Sequence, residues 1–250
     1  MIEQLPRLFN LRDFGGVRCL DGREVRRETL YRSASLSELA PEHIAAVRTL
    51  NIRSVIDLRY NSERETHPTP WQEMGCSAYW CRDYEPVGGR GGLNDLLTSE
   101  ILTTVAARDL MLRVYPELAY GNVDSIKRLF HSILTDEGPF LVHCTSGKDR
   151  TGIAAALVLS ALDVPHELIL ADYLATRRFD ILASPAFRRE EPFSPQRIEI
   201  IRPIFSVDSD YLDCVFRRIV ARDGSLEGFF RNTLDLSASD LDAFRERLLV

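Results

Sequence analysis

The sequence predicts an α/β fold in which helices flank a central, mostly parallel β-sheet. Two short apolar runs, residues 52–58 and 139–143, have the length and composition of buried strands. The second run leads through a polar loop into residues 151–162, which are rich in helix-forming alanine and leucine. Residues 123–134 place their apolar side chains along one stripe of a helix. Buried strands separated by helices are typical of a parallel sheet with helices packed on its faces.

Local patterns predict the remaining elements. Asp21-Gly22 is a hairpin signal, and residues 93–114 have the apolar period of one helix. Ser237, followed three positions later by Asp240, resembles a capping box that opens the last helix. We read the glycine-rich stretch Gly88–Gly92 as a hinge or surface linker. Further strands are predicted at 29–33 and 76–81, and further helices at 41–50, from 165, at 208–222 and at 237–249.

The bulk composition suits one globular domain over residues 1–250. With 45% hydrophobic and 27% charged side chains, the chain can bury a core without disulfides or a structural metal. A net charge of −6 argues against nucleic acid as a partner, and the five cysteines lack a repeating spacing, so we expect reduced thiols. No run has the length of a membrane span, and there is no apolar signal core. We therefore expect a cytoplasmic protein, or one exported without a conventional signal peptide; nothing specifies an oligomeric state.

The segment 143–152 reads HCTSGKDRTG and joins the second buried strand to the helix after it. A loop between a strand and a helix N-terminus points successive N–H groups inward and forms an anion-binding nest. Gly147 lets the backbone approach an oxyanion, and the planar guanidinium of Arg150 can hold two phosphate oxygens. Cys144 lies at the mouth of the nest, where the N–H dipoles and Arg150 favour the thiolate. Such a thiolate is a nucleophile for phosphoryl transfer through a phosphocysteine.

Other positions of this loop have supporting roles. Thr151 can donate a hydrogen bond to the Cys144 sulfur and help it leave, and His143 can fix the loop by hydrogen bonding its backbone. Lys148 adds positive charge beside the pocket, which suits a substrate with additional phosphates. The positions that we expect to bind the substrate phosphate are Thr145, Ser146, Gly147, Lys148 and Gly152.

The segment resembles the signature HCxxGxxR[ST] of the cysteine-based protein tyrosine phosphatases. With Lys148-Asp149 inside the loop, it looks like a bacterial tyrosine/serine phosphatase family, several members of which also hydrolyse phosphoinositides. The resemblance implies a protein tyrosine phosphatase-like fold, no cofactor and no metal, and a phosphorylated protein or phosphoinositide as substrate. Other stretches that match the family pattern are Asn10–Gly16, Tyr31–Ala34, Val55–Arg59 and Asp172–Leu174.

Two carboxylates compete as the general acid, which must protonate the leaving oxygen and later activate water. Asp149 lies beside Arg150, whose charge favours the carboxylate and hence a base, yet the family pattern credits this position with acid chemistry. Asp83 lies on a loop after a strand, where many tyrosine phosphatases carry a mobile acid, although their Trp-Pro-Asp form is absent. The alternative interpretation of Asp83, an exposed loop carboxylate, is the simpler one. We favour Asp149.

Three residues outside the loop are candidates for the site. Asp57 and Arg59 end the first buried strand, at the edge where an α/β sheet binds its ligand. They either reach the substrate or form structural ion pairs with neighbours such as Glu63, and both interpretations stay open. The resemblance puts Arg12 near the active-site face as support for the loop, whereas the simpler interpretation is a turn that packs against the core.

Residues 176–206 are charged and interrupted by prolines, and the family carries helices over the active site in this region. We expect a helical lid or specificity element within the domain. Its arginines are candidate contacts to an anionic substrate, although each could equally lie on a solvated face. They are Arg177, Arg178, Arg188 and Arg189.

The sequence therefore predicts a metal-independent phosphatase that hydrolyses phosphotyrosine, with phosphoserine, phosphothreonine and phosphoinositides as further substrates. The alternative is a non-catalytic module with a phosphatase-like fold that binds phosphorylated ligands. Retention of both Cys144 and Arg150 argues against it, because a binder needs no thiol. Sulfur transfer or arsenate reduction would also use a loop cysteine, but no second cysteine lies within the motif to resolve an oxidised intermediate.

Overall fold

A computed structural model describes residues 5–85, 91–136, 138–187 and 191–250. Most of the predicted linker Gly88–Gly92 lies outside these residues, as do Arg188 and Arg189.

The centre of the described chain is a five-stranded sheet in the order β1-β2-β5-β3-β4. Only β1, at one edge, runs antiparallel to its neighbour; the other pairings are parallel. Helices pack on both faces, so the predicted mostly parallel α/β fold is confirmed. The strands are β1 Arg12–Asp13, β2 Leu30–Ser33, β3 Ser54–Asp57, β4 Ala78–Cys81 and β5 Phe140–His143.

The helices cover the two faces of this sheet and the edge at which its parallel strands end. They are α1 Leu5–Phe9, α2 Pro41–Arg48, α3 Asn61–Thr66, α4 Gly91–Thr98, α5 Thr104–Gly121, α6 Val123–Thr135, α7 Asp149–Ala161, α8 His166–Leu174, α9 Pro195–Phe205, α10 Ser209–Asp223, α11 Leu226–Gly228 and α12 Ala238–Leu248.

Strand register aligns the carboxyl ends of the parallel strands. His143, the last residue of β5, pairs with Ser33 on one side and with Asp57 on the other. Asp57 in turn pairs with Cys81 at the end of β4. Residues that follow these strands therefore meet at one edge, where α/β sheets bind ligands.

The sheet separates two parts of the core, because successive side chains of a strand point to opposite faces. Val55 and Leu141 pack with α1 and α2 on one face. Ile56 and Val142 pack on the other face, within the larger part of the core. Helix α7 runs through that larger part with nearly every side chain buried, which explains its almost uninterrupted apolar sequence.

One predicted helix is interrupted. The apolar period over 93–114 suggests a single helix, but the structure has α4 ending at Thr98 and α5 beginning at Thr104. Thr103 is the reason, because its hydroxyl accepts the Ala106 N–H at 3.1 Å and so caps the start of α5. The capping box at Ser237 and Asp240 is present at the start of α12, as predicted.

Helix α9, within the predicted lid segment, packs against α5 and is fastened to α4 by one arginine. Arg197 donates to the carbonyls of Leu96, Leu97 and Ser99 at 3.1, 2.5 and 2.9 Å. These groups lie at the C-terminal end of α4, where backbone carbonyls lack helical partners. The segment is thereby held beside the carboxyl edge of the sheet. No helix in the described ranges has the length and apolarity needed to cross a membrane.

Candidate active site

The loop 144–148 connects β5 directly to α7 and bends sharply at Gly147. This glycine has a φ of +65°, a conformation that side chains disfavour. A Cβ atom there would lie 2.4 Å from the Ser33 carbonyl oxygen, so the loop passes against the end of β2 with no room for a side chain. Gly147 is therefore required both for the turn and for this close approach.

The outer side of the loop is held by hydrogen bonds to its carbonyls. The Asn10 side-chain amide donates to the carbonyls of Ser146 and Gly147 at 3.3 and 3.1 Å. Arg32 donates to the Gly147 carbonyl at 2.9 Å. In a trans peptide the N–H points opposite to the C=O. The N–H groups of Gly147 and Lys148 therefore face away from Asn10 and Arg32, toward the inside of the loop.

Asp172 of α8 secures this support from behind. Its carboxylate accepts from Arg12 Nε at 3.0 Å and also pairs with Arg32. Burial opposes its ionisation, but the two arginines hold the pKa of Asp172 below its ordinary value. Burial and the neighbouring Arg32 lower the pKa of Arg12 to about 10. Arg12 thus lies behind the loop and is joined to it through Asp172 and Arg32.

The inner side of the loop presents donors. Within the described chain, no acceptor pairs with the backbone N–H groups of residues 145–148. The first N–H groups of α7 continue this row, since they have no partner inside the helix. Cys144 lies at the end of β5 with 1% of its surface exposed. The hydroxyl of Thr151 is fully buried and has no hydrogen-bond partner among the described residues, so it is free to donate to a nearby anion.

Glu63 of α3 fixes Arg150 in a two-pronged ion pair. The distances are 2.7 Å from Nη1 to Oε2 and 2.8 Å from Nη2 to Oε1. Burial opposes the charge on Glu63, but Arg150 and the hydroxyl of Thr145 lower the Glu63 pKa to about 2. Burial likewise opposes the charge on Arg150, and Glu63 raises its pKa well above the ordinary value. Both groups are therefore charged at any physiological pH.

The remaining donors of Arg150 define how it can bind an anion. Nη1 also donates to the Leu58 carbonyl at 3.0 Å, so both of its hydrogens are used. Nη2 reaches Thr145 Oγ1 only at 3.5 Å. Because a guanidinium carries its N–H groups in a fixed plane, the free edge consists of Nε and the second Nη2 hydrogen. That edge has the spacing for two oxygens of one phosphate.

Asp57 and Arg59 form a buried pair with each other. Arg59 Nη2 lies 2.7 Å from Asp57 Oδ2, and the same oxygen accepts from Tyr79 at 2.7 Å. Arg59 also donates to the His67 carbonyl and to Thr69. The pair therefore braces the loops behind β3.

His143 packs against this pair at the end of β5. Its Nε2 lies 3.4 Å from Asp57 Oδ2, and its Nδ1 lies 3.3 Å from the Cys144 carbonyl. Burial lowers the His143 pKa to about 4, so the ring is neutral at neutral pH. His143 thus contacts the backbone at the start of the loop.

Of the two candidate acids, Asp149 lies at the cavity. Its Oδ1 accepts from the hydroxyl of Tyr115 on α5 and lies 3.2 Å from Lys148 Nζ. Asp83, by contrast, is exposed, and its Oδ1 accepts from Asn61 at 2.7 Å. Asp83 is not among the residues that line the cavity.

The ammonium of Lys148 is buried and turned toward α9. It donates to the carbonyls of Ile204 and Ser206, where α9 ends. A cation at a helix C-terminus satisfies carbonyls that lack helical partners. Lys148 therefore connects the loop to the predicted lid segment, a contact that its position in the motif does not indicate.

A cavity of about 380 Å³ opens above the loop. Its polar part contains Arg150, Asp149 and Glu63, and its wall is mostly apolar. The apolar residues come from α4, α5 and the segment 176–206, and they are Leu96, Leu110, Met111, Val114, Leu118, Ile181, Phe187, Ile204 and Phe205. An anion at the loop would thus carry its organic part along an apolar surface.

Nothing in the sequence indicated that Glu63 would contact Arg150 or that Tyr115 would contact Asp149. Glu63 was considered only as a structural neighbour of Asp57 or Arg59. Its one local signal is its place at the third position of α3, where its side chain accepts the Tyr60 N–H at 2.8 Å. Tyr115 gave no signal beyond its place in an apolar helical pattern.

Cys144 at the end of β5, the unpaired amides of residues 145–148 and the ion-paired Arg150 form a candidate active site. A cysteine-dependent phosphatase requires these kinds of group. The model of the tyrosine phosphatase family matches residues 3–250. The chain therefore belongs to the tyrosine phosphatase family.

Curated relatives agree with this family. A putative tyrosine-protein phosphatase of Cupriavidus necator is 29% identical over 93% of this chain and 84% of its own length. The triple specificity protein phosphatase PtpB of Mycobacterium tuberculosis is 26% identical over 99% of both chains. Among solved structures, the catalytic domain of the PP-IP phosphatase SIW14 from S. cerevisiae matches at 15% identity over 80% of this chain and 90% of that one. Its TM-score of 0.36 is too low to inform the fold.

Proposed function

We propose that this protein is a metal-independent phosphatase that hydrolyses phosphotyrosine through a phosphocysteine at Cys144. One arrangement carries the proposal: Cys144 at the end of β5, the unpaired amides of residues 145–148, and Arg150 held by Glu63. The amides and the free edge of Arg150 bind the equatorial oxygens of the phosphate. Phosphoryl transfer is mostly positioning and charge stabilisation, which is what these groups supply.

In the first step the Cys144 thiolate attacks phosphorus in line with the ester oxygen. The P–S bond forms as the P–O bond breaks, and the Asp149 carboxyl gives its proton to the leaving oxygen. The place of Asp149 at the cavity supports this role, whereas Asp83 is exposed and bound to Asn61. The free alcohol leaves, and the enzyme keeps the phosphoryl group on sulfur.

In the second step water attacks the phosphocysteine. The Asp149 carboxylate takes a proton from that water, the new P–O bond forms, and the P–S bond breaks. The sulfur leaves as a thiolate, which the buried hydroxyl of Thr151 stabilises by donating a hydrogen bond. Inorganic phosphate then departs, and Cys144 and Asp149 return to their starting forms.

The apolar wall of the cavity supports phosphotyrosine as a substrate. Side chains such as Met111 and Phe205 suit an aromatic ring extending from the bound phosphate. Phosphoserine, phosphothreonine and phosphoinositides stay within the proposal because a relative that matches the whole chain is named a triple specificity phosphatase. The charge of Lys148 no longer argues for a second phosphate, since its ammonium donates to the end of α9.

Residues 176–206 are the proposed specificity element. Ile181, Phe187, Ile204 and Phe205 come from this segment and line the cavity. Phe187 and Phe205 pack edge to face with ring centroids 5.2 Å apart, which closes one side of the cavity. Arg177 and Arg178 are exposed but do not line this cavity; they line a neighbouring pocket that shares Ile181 and Phe205 with it. Arg177 also donates to the Val207 carbonyl at 3.5 Å.

The alternative is a module that binds phosphorylated ligands without turnover. Phosphate release from an aryl phosphate, with a chelator present, separates the two when wild type is compared with Cys144→Ser. If the protein is a phosphatase, we expect turnover in wild type only. Cys144→Ser should still bind phosphate, because the nest and Arg150 are unchanged. Tight binding of a phosphotyrosine peptide without turnover in either protein would favour the binding module.

A further inference from the structure

Tyr115 of α5 contacts the proposed acid from inside the core. The side chain is fully buried, and its hydroxyl donates to Asp149 Oδ1. The other carboxylate oxygen, Oδ2, has no hydrogen bond to any described residue. Asp149 is thus held by one oxygen, while the second is available to a substrate in the cavity.

A second tyrosine orients the first. The hydroxyl of Tyr173 on α8 lies 2.7 Å from that of Tyr115. A hydroxyl has one hydrogen to donate, and Tyr115 gives its own to Asp149, so Tyr173 donates to Tyr115. The ring of Tyr173 rests on α7 at Gly152, where a Cβ atom would come within 2.9 Å of it. Burial and the nearby Asp149 raise the pKa of Tyr115 well above its ordinary value, so it stays a donor.

We propose that Tyr115 is a positioning residue for the phosphatase reaction, which aims Asp149 Oδ2 at the leaving oxygen by holding Oδ1. The proposal rests on the proposed function, in which Asp149 is the general acid. A carboxylate in the first turn of a helix can adopt several rotamers. A buried hydrogen bond to one oxygen selects among them before the substrate arrives, and such orientation is worth large factors in rate.

The consequence is a specific kinetic pattern. Protonation of the leaving oxygen matters most when the alcohol is a poor leaving group. Tyr115→Phe removes only the hydroxyl and should lower kcat/KM, which reports the first step alone, about tenfold on phenyl phosphate. On a dinitrophenyl phosphate, whose leaving group needs no proton, it should change kcat/KM by less than about twofold. Inhibition by inorganic phosphate should be unchanged, because Tyr115 does not touch the phosphate nest.

A double-mutant cycle tests whether Tyr115 acts through Asp149. Four proteins are compared on both substrates: wild type, Tyr115→Phe, Asp149→Asn and the double variant. In the Asp149→Asn background, Tyr115→Phe should have no further effect on phenyl phosphate, because the acid is already gone. Equal and additive losses in both backgrounds would overturn the proposal.

Tyr211→Phe is the matched control. Its ring packs 5.2 Å from that of Tyr115, but its hydroxyl donates to the Pro203 carbonyl at 3.2 Å and does not contact Asp149. It should not produce the leaving-group pattern; if it does, the pattern reflects loosening of the tyrosine cluster and the proposal fails. If Tyr115→Phe does not fold, Tyr173→Phe takes its place, and a uniform loss on both substrates overturns the proposal.

The same measurements distinguish failure of the proposed role of Tyr115 from failure of the proposed function. If kcat/KM of Asp149→Asn falls selectively on phenyl phosphate but that of Tyr115→Phe does not, Asp149 remains the general acid and only the role of Tyr115 is overturned. If kcat/KM of Asp149→Asn falls equally on both substrates, Asp149 is not the general acid, and the proposed role of Tyr115 is overturned as well. If wild type has no turnover on either substrate, the phosphatase itself is overturned.

Discussion

Glu63 and Arg150 face each other in a buried, two-pronged ion pair with N–O distances of 2.7 and 2.8 Å. The pair orients the arginine before any phosphate binds, and it leaves one edge of the guanidinium free. The orientation of Arg150 thus depends on a residue that lies 87 positions earlier in the chain.

Glu63→Gln should weaken both activity and stability. Loss of the charge leaves Arg150 buried beside a neutral partner, which should cost about 3 kcal/mol of unfolding free energy. Misplacement of Arg150 should lower kcat/KM for an aryl phosphate about 100-fold. Glu65→Gln, on the exposed face of the same helix, is the control and should behave as wild type. Wild-type kinetics in Glu63→Gln would show that Arg150 does not need this partner.

Gly147→Ala should lower the free energy of unfolding by more than the positive φ alone would cause. The positive φ costs a side chain about 1–2 kcal/mol, and the new Cβ would also meet the Ser33 carbonyl at 2.4 Å. Gly224→Ala separates the two effects, since Gly224 has a φ of +79° but open space around its Cβ position. Denaturant unfolding should show the larger loss for Gly147→Ala, and only that variant should lose phosphate binding. Equal losses would mean that the close approach to β2 is unimportant.

His143 should make the protein less stable as pH falls below neutral. Its pKa is about 4 in the folded protein, and about 6.5 when unfolded. Between these values the unfolded chain binds a proton that the folded protein excludes, so stability falls as pH drops. From pH 7 to pH 5 this contribution is about 2 kcal/mol. In urea unfolding, the free energy of unfolding of His143→Asn should fall by about 2 kcal/mol less than that of wild type between pH 7 and pH 5. An unchanged loss would show that His143 is not the group responsible.

Lys148→Met should loosen α9. The ammonium donates to the carbonyls at the end of that helix, so its removal should speed amide hydrogen exchange over residues 198–206 by about tenfold. Lys127→Met is the control, because Lys127 is paired at the surface with Asp235. Turnover of phosphotyrosine and phosphoinositide substrates should fall together in Lys148→Met. A selective loss on phosphoinositides, with unchanged exchange, would instead place Lys148 on a substrate phosphate.

The sequence identified the residues whose roles depend on local geometry. The strand, turn and helix at 139–162 follow from composition. The spacing of the motif then places Cys144, Gly147 and Arg150 between the end of β5 and the first turn of α7. The mostly parallel sheet also follows from buried runs separated by amphipathic segments, and the family match agrees with the motif.

Contacts between distant elements could not be predicted in the same way. Glu63 reaches Arg150, and Tyr115 reaches Asp149, only because α3 and α5 pack beside the site. A capping position and an apolar helical period do not indicate these contacts. The direction of the Lys148 side chain depends on where α9 ends, which no spacing within the motif specifies. The break between α4 and α5 depends on one capping hydroxyl, that of Thr103, within an otherwise continuous apolar period.

The most direct test of the phosphocysteine is to trap it. The enzyme is mixed with an aryl phosphate and quenched with denaturant during turnover, and its peptides are then weighed by mass spectrometry. The account predicts one added phosphoryl group on the peptide containing Cys144, present during turnover and absent from Cys144→Ser. Turnover without that modification, or a phosphoryl group on another residue, would contradict it.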